Sequence, residues 1–383
     1  MSRGLVLTGG GARAAYQVGV LKGIAAILPR SVYNPFPIIC GTSAGAINAL
    51  SIAGRAGPFR LRTSKLEAIW HNLRASDVYR TNTLAVATNV FHIAASLLHS
   101  GYGIGRPISL LDNTPLREML ENYVKFDYLE TAIGNGELEA IAISAMSYAS
   151  GQSVTFYQGQ QSIHPWNRAR RRGEKTDLTI DHLMASTAIP SLFPAVQLQG
   201  GYFGDGAVRQ LKPISPALHM GAEQLLIIGV SDNATLANKA PQLEHSPSIA
   251  QIMGHMFNSA FIDAVESDLE TLRSINRLAS VIPQSLKDNN GITDLNAVEV
   301  LSISPSQSID QIAEEHIHEL SRPLKLFLKL IGATAQGGGI SAASYLLFEP
   351  GFSRKLIALG HSDALAQEDA IRDFFDQQAG PPQ

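Results

Sequence analysis

A serine between two glycines is the first feature of this chain that can do chemistry. Residues 41–45 read Gly-Thr-Ser-Ala-Gly, a G-x-S-x-G pattern with Ser43 at its centre. Residues 36–40 before it are apolar and predict a buried strand, and residues 46–53 after it predict a helix. A strand, a tight turn and a helix form the context of a nucleophile elbow. The pentapeptide alone would also fit a glycine-rich turn without chemistry, and the flanking segments favour the elbow.

A glycine loop near the N-terminus can supply hydrogen-bond donors. Attack by a serine on a carbonyl group creates an oxyanion, which N–H groups must stabilise. Gly9, Gly10 and Gly11 follow an apolar stretch that predicts the first strand. Because neighbouring parallel strands end at one edge of a sheet, the loop is expected to face Ser43. Arg13, just beyond, is expected either to steady the loop or to bind a phosphate group.

The glycine loop has a second interpretation as a dinucleotide-binding motif. Residues 9–14 also match G-x-G-x-x-A after a strand. That site requires an acidic residue about 20 positions further on. The first acidic residue of this chain is Glu67, so the sequence argues against a dinucleotide site.

The base that would activate the serine is left open by the residues themselves. A serine hydroxyl is a poor nucleophile until a base takes its proton. The eleven histidines are scattered, and none has a distinctive setting. Asp205 stands between Gly204 and Gly206 after an apolar segment, where a carboxylate can project into a cleft, although Asp-Gly is also a common turn.

Composition limits the class of protein. The chain has 383 residues, of which 45% are hydrophobic and 16% charged, as in globular proteins with a large core. The single cysteine, Cys40, excludes an internal disulfide framework and a multi-cysteine metal site. No metal or cofactor is expected. The N-terminus lacks the apolar core of a secretory signal, so a cytoplasmic location is expected.

Charge is distributed unevenly along the chain. No Asp or Glu precedes Glu67, so the first 66 residues carry a formal charge of +8. The remaining residues carry −11, which gives the net charge of −3. A positive N-terminal part favours an anionic substrate or membrane surface, unless these side chains are simply spread over solvated faces.

Three further patterns indicate elements. Residues 1–57 predict a β-α-β-α order, which is typical of a parallel sheet covered by helices. Residues 81–105 contain no charged residue and predict either a helix packed on the core or a mobile apolar cap that meets lipid. The arginines of residues 168–172 predict a basic loop, either merely solvated or in contact with phosphate headgroups.

Four motifs taken together resemble those of the patatin-like phospholipases. They are residues 9–13 (GGGAR), 41–45 (GTSAG), 185–194 (ASTAIPSLFP) and 205–207 (DGA), in this order. Residues 356–364 are similar to the family's closing helix. The resemblance implies an α/β fold, a three-layer α/β/α sandwich with a mostly parallel central sheet and a helical C-terminal segment. We expect a catalytic domain at residues 1–310, with a mainly helical insertion at about 58–135, and a helical extension at 311–383 packed on it.

The resemblance also implies roles for individual residues. Ser43 would be the nucleophile and Asp205 the base of a catalytic dyad. Gly9, Gly10, Gly11 and the N–H of Ala44 would form the oxyanion hole. The family hydrolyses acyl esters of phospholipids or lysophospholipids, so the expected partners are lipid substrates and a peripheral lipid surface, with no nucleic acid.

Two positions differ from the family's common pattern, and three alternatives stay open. Ala14 and Ala207 stand where glycine is frequent in the family. The alternatives are an esterase with a Ser-His-Asp triad, a lipid-binding or regulatory protein with weak catalysis, and a transacylase.

Overall fold

The computed structural model describes residues 2–80, 109–231, 248–282, 297–322, 324–325, 328 and 339–376. The charge-free segment at 81–105 lies outside these residues. The strands of the described residues are β1 (Arg3–Leu7), β2 (Ile38–Thr42), β3 (Ala140–Ser147), β4 (Ser153–Gly159), β5 (Trp166–Arg168), β6 (Arg171–Lys175), β7 (Val196–Leu198), β8 (Gly201–Asp205), β9 (Gln224–Ile228) and β10 (Glu299–Ile303).

The α-helices are interspersed among the strands along the chain. Those in the described residues are α1 (Ala15–Ile27), α2 (Ala44–Ala53), α3 (Phe59–Asn72), α4 (Ala75–Val78), α5 (Thr114–Tyr123), α6 (Asp127–Gly134), α7 (Ile180–Ser186), α8 (Ser215–His219), α9 (Ile249–Asn258), α10 (Ala264–Val281), α11 (Ile309–His316), α12 (Ile340–Leu346), α13 (Pro350–Ala366) and α14 (Glu368–Asp376). A π-helical turn, Ser259–Asp263, joins α9 to α10.

One sheet organises the molecule. Its order is β10-β9-β1-β2-β3-β4-β6-β5, and β8 pairs with β3 and β7. The strands from β10 to β3 run parallel to one another, whereas β4 and β8 run antiparallel to β3. The expectation of a mostly parallel central sheet is confirmed.

Helices cover both faces of this sheet. In β1, Leu5 and Leu7 join one hydrophobic cluster and Val6 joins the other, because successive side chains of a strand point to opposite faces. Helices α1, α2 and α3 contribute to the first cluster, and α8 and α10 contribute to the second. The α/β/α sandwich expected from the sequence is therefore confirmed.

Three of the N-terminal cations have partners from later in the chain. These ion pairs are Arg13 with Asp310 (2.6 Å), Lys22 with Glu67 (2.7 Å) and Arg62 with Glu137 (3.5 Å). The positive N-terminal part of the sequence therefore does not form a uniformly positive surface, since folding brings acidic side chains to it.

The arginine-rich residues 168–172 do not form the loop predicted from sequence. Residues Trp166–Arg168 and Arg171–Lys175 pair as an antiparallel hairpin, and Ala169 and Arg170 form its turn. Pairing of β6 with β4 holds this hairpin at the edge of the sheet. Backbone pairing with neighbouring strands, which a local run of like charges does not reveal, sets the structure of this segment.

A close contact between α1 and α13 attaches the C-terminal helices to the sandwich. A Cβ atom at Gly19 would lie 2.1 Å from the carbonyl oxygen of Ile357, and one at Gly360 would lie 2.2 Å from that of Tyr16. Only glycine permits this backbone approach. The helices after residue 311 thus share the main core, and the domain boundary at residue 310 stays a prediction.

We expect Gly360→Ala to lower the free energy of unfolding by about 1–3 kcal/mol, because the added methyl group has no space. Gly134→Ala is the matched control, since a Cβ at that helical position meets no atom within 4 Å. The control is expected to be neutral or slightly stabilising. Urea denaturation of both variants measures the difference, and equal stabilities would contradict the packing argument.

Candidate active site

The turn between β2 and α2 holds Ser43 in a strained conformation. Its φ is 55° and its ψ is −130°, a region that residues other than glycine rarely adopt. The glycines on either side explain how the chain reaches it. A Cβ at Gly45 would lie 2.3 Å from the carbonyl oxygen of Leu7, and one at Gly41 would lie 2.6 Å from the Cα of Ala46. The sharp turn is therefore built on close backbone contacts.

Asp205 lies directly beside this serine. Ser43 Oγ donates a hydrogen bond to Asp205 Oδ2 at 2.5 Å, across 162 positions of sequence. Asp205 ends β8, where it pairs with Ala145 of the central strand β3. The N–H of Ala207 donates to the other carboxylate oxygen at 2.9 Å. Both oxygens of the carboxylate thus have a fixed donor.

Burial dominates the protonation of this carboxylate. Asp205 is fully buried, and this burial raises its pKa to about 7. The hydrogen bonds from Ser43 and from the Ala207 N–H oppose the rise, because they stabilise the charged form. The group therefore changes its charge close to neutral pH.

A second serine supports the turn at Ser43, and no pattern in the sequence had singled this serine out. Ser186, at the end of α7, accepts a hydrogen bond from the N–H of Ser43 at 3.0 Å. Its own hydroxyl donates to the carbonyl oxygen of Ser144 at 2.7 Å. Ser186 belongs to the block 185–194, so the resemblance had marked its segment without its role.

The glycine loop lies against the same serine. The carboxyl ends of β1 and β2 are aligned, with Leu7 opposite Gly41. A Cβ atom at Gly9 would lie 3.2 Å from the Cβ of Ser43. Gly11 has a φ of 53° and begins a 3-10 turn, and Ala44 begins α2. The first N–H groups of such turns have no partner within the helix, so they can serve a ligand.

Arg13 is occupied within the protein. It is 2% exposed, and its guanidinium pairs with Asp310 and donates to the hydroxyl groups of Ser344 and Ser341. The same group lies 4.2 Å from the centre of the Tyr345 ring. These contacts favour the first of its two expected roles, which is to steady the glycine loop.

Alanine fits at both positions where glycine is common in the family. Ala14 has a φ of −64° and a ψ of −9°, ordinary helical values that do not require glycine. Ala207 lies in a 3-10 turn, and its φ is not positive. The backbone path beside Ser43 and Asp205 is therefore available to alanine.

The histidines described by the structure do not form a triad with Ser43. None of their rings makes a hydrogen bond to Ser43 or Asp205 within the described ranges. His182 is the deeply buried one, and its Nδ1 interacts with Thr179. His92, His99 and His245 lie outside the described residues.

An apolar cavity opens at the serine. It has a volume of about 30 Å³ and reaches Gly11, Ser43 and Ala44. Its walls are mainly large apolar side chains, including Trp70, Leu116, Met119, Phe193 and Phe348. The volume suffices for about one water molecule.

An aromatic side chain covers the glycine loop from the other side. Phe261, in the π-helical turn, is 2% exposed, and a Cβ at Gly9 would lie 2.5 Å from its ring. It forms a cluster with Tyr345 and Ala207. Since Ser43 and Asp205 are also buried, the described structure is a closed form of the site.

Ser43, Asp205 and the glycine loop lie in the part of the chain that matches a known family model. That model, described as patatin-like phospholipase, matches residues 5–218. The match covers more than half of the chain, and the chain belongs to the patatin-like phospholipase family.

Two curated relatives are bacterial. A cGAMP-activated phospholipase of Pseudomonas aeruginosa is 26% identical over 204 residues, which are 53% of this chain and 52% of that protein. A cUMP-AMP-activated phospholipase of Escherichia coli is 51% identical over 51 residues, 13% of this chain and 16% of that protein. The matched part spans about half the length of the first relative and much less of the second.

A solved structure is similar at a coarse level. It is human GIVD cytosolic phospholipase A2 in complex with methyl γ-linolenyl fluorophosphonate, with a TM-score of 0.43 and 11% identity. The alignment covers 98% of this chain and 59% of that one. This likeness is too weak to add to the family assignment.

The described residues contain no group of three or more His, Cys, Asp or Glu side chains placed to hold a metal ion. Their helices also include none with the length and apolar character needed to cross a bilayer.

We expect Asp205→Asn to raise the free energy of unfolding at pH 8 by on the order of a few kcal/mol. The unfolded carboxyl ionises near pH 4, whereas the folded one keeps its proton up to about pH 7. Between these values the wild type loses stability as pH rises, because the folded state holds the extra proton. The gain should therefore vanish near pH 4.

Urea denaturation of wild type and variant at several pH values between 4 and 8 measures this difference. Asp177→Asn, at an exposed position, is the control and should show no such trend. A stability difference for Asp205→Asn that is constant with pH would contradict the burial of an ionisable carboxyl group.

Proposed function

We propose that this protein hydrolyses acyl ester bonds of phospholipids or lysophospholipids through a Ser43–Asp205 dyad. The observation that carries the proposal is the 2.5 Å hydrogen bond from Ser43 Oγ to a buried carboxylate, in a member of a phospholipase family. A hydroxyl paired directly with a carboxylate of pKa about 7 has its base in place at neutral pH.

The first half-reaction acylates the serine. Ser43 Oγ attacks the ester carbonyl carbon and its proton passes to Asp205 Oδ2. The resulting oxyanion is stabilised by N–H groups of Gly10, Gly11 and Ala44, with Gly9 allowing the close approach. The intermediate then collapses, and Asp205 returns the proton to the departing alcohol oxygen.

The second half-reaction frees the enzyme. Asp205 takes a proton from a water molecule, which attacks the carbonyl carbon of the acyl-serine. The same N–H groups hold the second oxyanion, and Asp205 returns the proton to Ser43 as the fatty acid leaves. Arg13 contributes indirectly, because its contacts fix the loop that carries the donors.

The apolar cavity is the proposed entrance of the acyl chain. It lies at Ser43, and apolar side chains form most of its wall. Its 30 Å³ are too few for a fatty acyl chain, so Leu116 and Met119 of α5 must move when substrate binds.

Helix α9 is the proposed contact with the lipid surface. Ile249, Ile252 and Met256 lie on one face of this helix and are 62%, 49% and 65% exposed. The helix contains no Asp, Glu, Lys or Arg. Exposed apolar side chains without charge suit the interface of a membrane. Because α9 leads directly to Phe261, insertion of the helix into lipid can draw this ring off the glycine loop.

Ser43→Ala and Asp205→Asn are each expected to reduce ester hydrolysis by about 10⁴-fold or more, since each removes one member of the dyad. Release of fatty acid from phospholipid and lysophospholipid vesicles measures the loss. Intact mass after treatment with a lipid-like fluorophosphonate should show one adduct on wild type and none on Ser43→Ala.

Ser162→Ala and Asp177→Asn change the same residue types at exposed positions and should keep full activity. Near-normal hydrolysis by Asp205→Asn would refute the dyad and favour a histidine base. Lipid binding without product release, unchanged in Ser43→Ala, would instead favour the lipid-binding function.

Ile252→Ser/Met256→Ser is expected to weaken binding to phosphatidylcholine vesicles about tenfold or more. The reason is that the variant lacks two apolar side chains that would move from water into lipid on binding. Co-sedimentation with vesicles measures this, together with hydrolysis of vesicle lipid. Labelling of Ser43 by a soluble fluorophosphonate should stay unchanged.

Leu61→Ser/Leu365→Ser is the control, with two exposed apolar residues changed on α3 and α13. Equal vesicle binding by the α9 variant and this control would refute α9 as the lipid contact.

A further inference from the structure

A second cavity, separate from the apolar one, is lined by cations. It has a volume of about 180 Å³ and lies between the β5–β6 hairpin and residues 209–216. Its charged side chains are Arg170, Arg171, Arg209 and Lys212, and we call it the basic pocket. Two distant segments supply these four cations, so folding brings like charges together.

Most of this charge has no acidic partner. Arg171 Nε donates to the hydroxyl of Ser215 at 3.2 Å, and Arg209 Nε donates to a backbone carbonyl at 2.9 Å. Lys212 pairs with Asp268 at 3.2 Å. Within the described residues, no carboxylate lies within 4 Å of the three arginine side chains. The pocket thus retains positive charge that an anion would neutralise.

The backbone conformation at Arg170 indicates that this residue serves the basic pocket rather than the hairpin turn. This residue has a φ of 61°, in the left-handed region where glycine or asparagine is the usual choice. Arginine at such a position is unfavourable for the turn itself. Its side chain is exposed and lies at the wall of the pocket.

The size and chemistry of the basic pocket fit a phosphate group. Guanidinium groups donate paired hydrogen bonds that match phosphate oxygens. A water molecule takes about 30 Å³, so 180 Å³ accommodates a phosphate or a pyrophosphate.

A buried polar network connects this pocket with the nucleophile turn. Gln210 lines the pocket, accepts a hydrogen bond from Thr42 Oγ1 at 2.6 Å and donates to Ser144 Oγ at 2.8 Å. Ser144 Oγ also lies 3.0 Å from the hydroxyl of Thr155, another residue of the pocket wall. Thr42 directly precedes Ser43, so movement of Gln210 would displace the turn that carries Ser43.

We infer that the basic pocket is a binding site for a phosphate-bearing anion, and that Gln210 links its occupancy to the turn that carries Ser43. The binding is independent of catalysis, whereas the link rests on the proposed function. The anion is either a soluble phosphate compound or a phosphate headgroup at a lipid surface.

Binding is tested on the full chain with Ser43→Ala, so that lipid is not consumed. Inorganic pyrophosphate is titrated by calorimetry, and vesicles of phosphatidylcholine with and without phosphatidic acid are used for co-sedimentation. Arg170→Ala/Arg209→Ala is expected to lower affinity at least tenfold. Arg60→Ala/Arg354→Ala, an equal charge change at exposed positions of α3 and α13, should keep it.

The two probes identify the source of the phosphate. If Arg170→Ala/Arg209→Ala loses affinity for pyrophosphate alone, the ligand is a soluble phosphate compound. If this variant loses affinity for phosphatidic acid vesicles alone, the ligand is a lipid headgroup. Absence of binding to both probes, or equal binding by the pocket variant and the control, would overturn the site.

The link is tested on wild type by the rate at which a soluble fluorophosphonate labels Ser43. Saturating pyrophosphate, or phosphatidic acid vesicles if only these bind, is expected to change this rate severalfold, and the pocket variant should not respond. An unchanged rate with intact binding would overturn the link alone. Absence of labelling under every condition would count against the proposed dyad and leave the binding result standing.

Discussion

The hydrogen bond between Ser43 and Asp205 is the interaction on which the site depends. It joins two side chains 162 positions apart, and both are buried. A carboxylate out of water is costly unless donors surround it, which explains the second bond from the Ala207 N–H. The same burial brings the pKa of Asp205 to about 7. Removal from water thus sets both the energetic cost of this carboxyl group and the position of its pKa.

Close backbone contacts maintain this geometry. Gly45 lets α2 approach the end of β1, and Gly9 lets the loop approach Ser43. Ser186 accepts a hydrogen bond from the N–H of Ser43, and Ser144 connects Ser186 to the network around Gln210. Most of these contacts involve backbone atoms or short side chains, which leave little space around Ser43.

The site is shielded from water, and the same shielding prevents a lipid substrate from entering it. Phe261 covers the glycine loop, and the cavity at Ser43 is smaller than an acyl chain. The covering segment is also the one that presents an uncharged, apolar helix face to solvent. Under the proposed function, a lipid surface supplies what the closed form lacks, because it receives the apolar face and delivers the substrate together.

The sequence by itself determined the local features: the strand–turn–helix around Ser43, the glycine loop and the buried strands. Their short-range patterns of apolar residues and glycines are sufficient for that. Bare residue types left Asp205 and the histidines as rival bases, and the resemblance to a family favoured Asp205. Only the tertiary structure decided that Asp310 takes the charge of Arg13, and that Gln210 joins the basic pocket to the elbow. Such pairings unite residues far apart in the chain, and no local pattern encodes the distance between them.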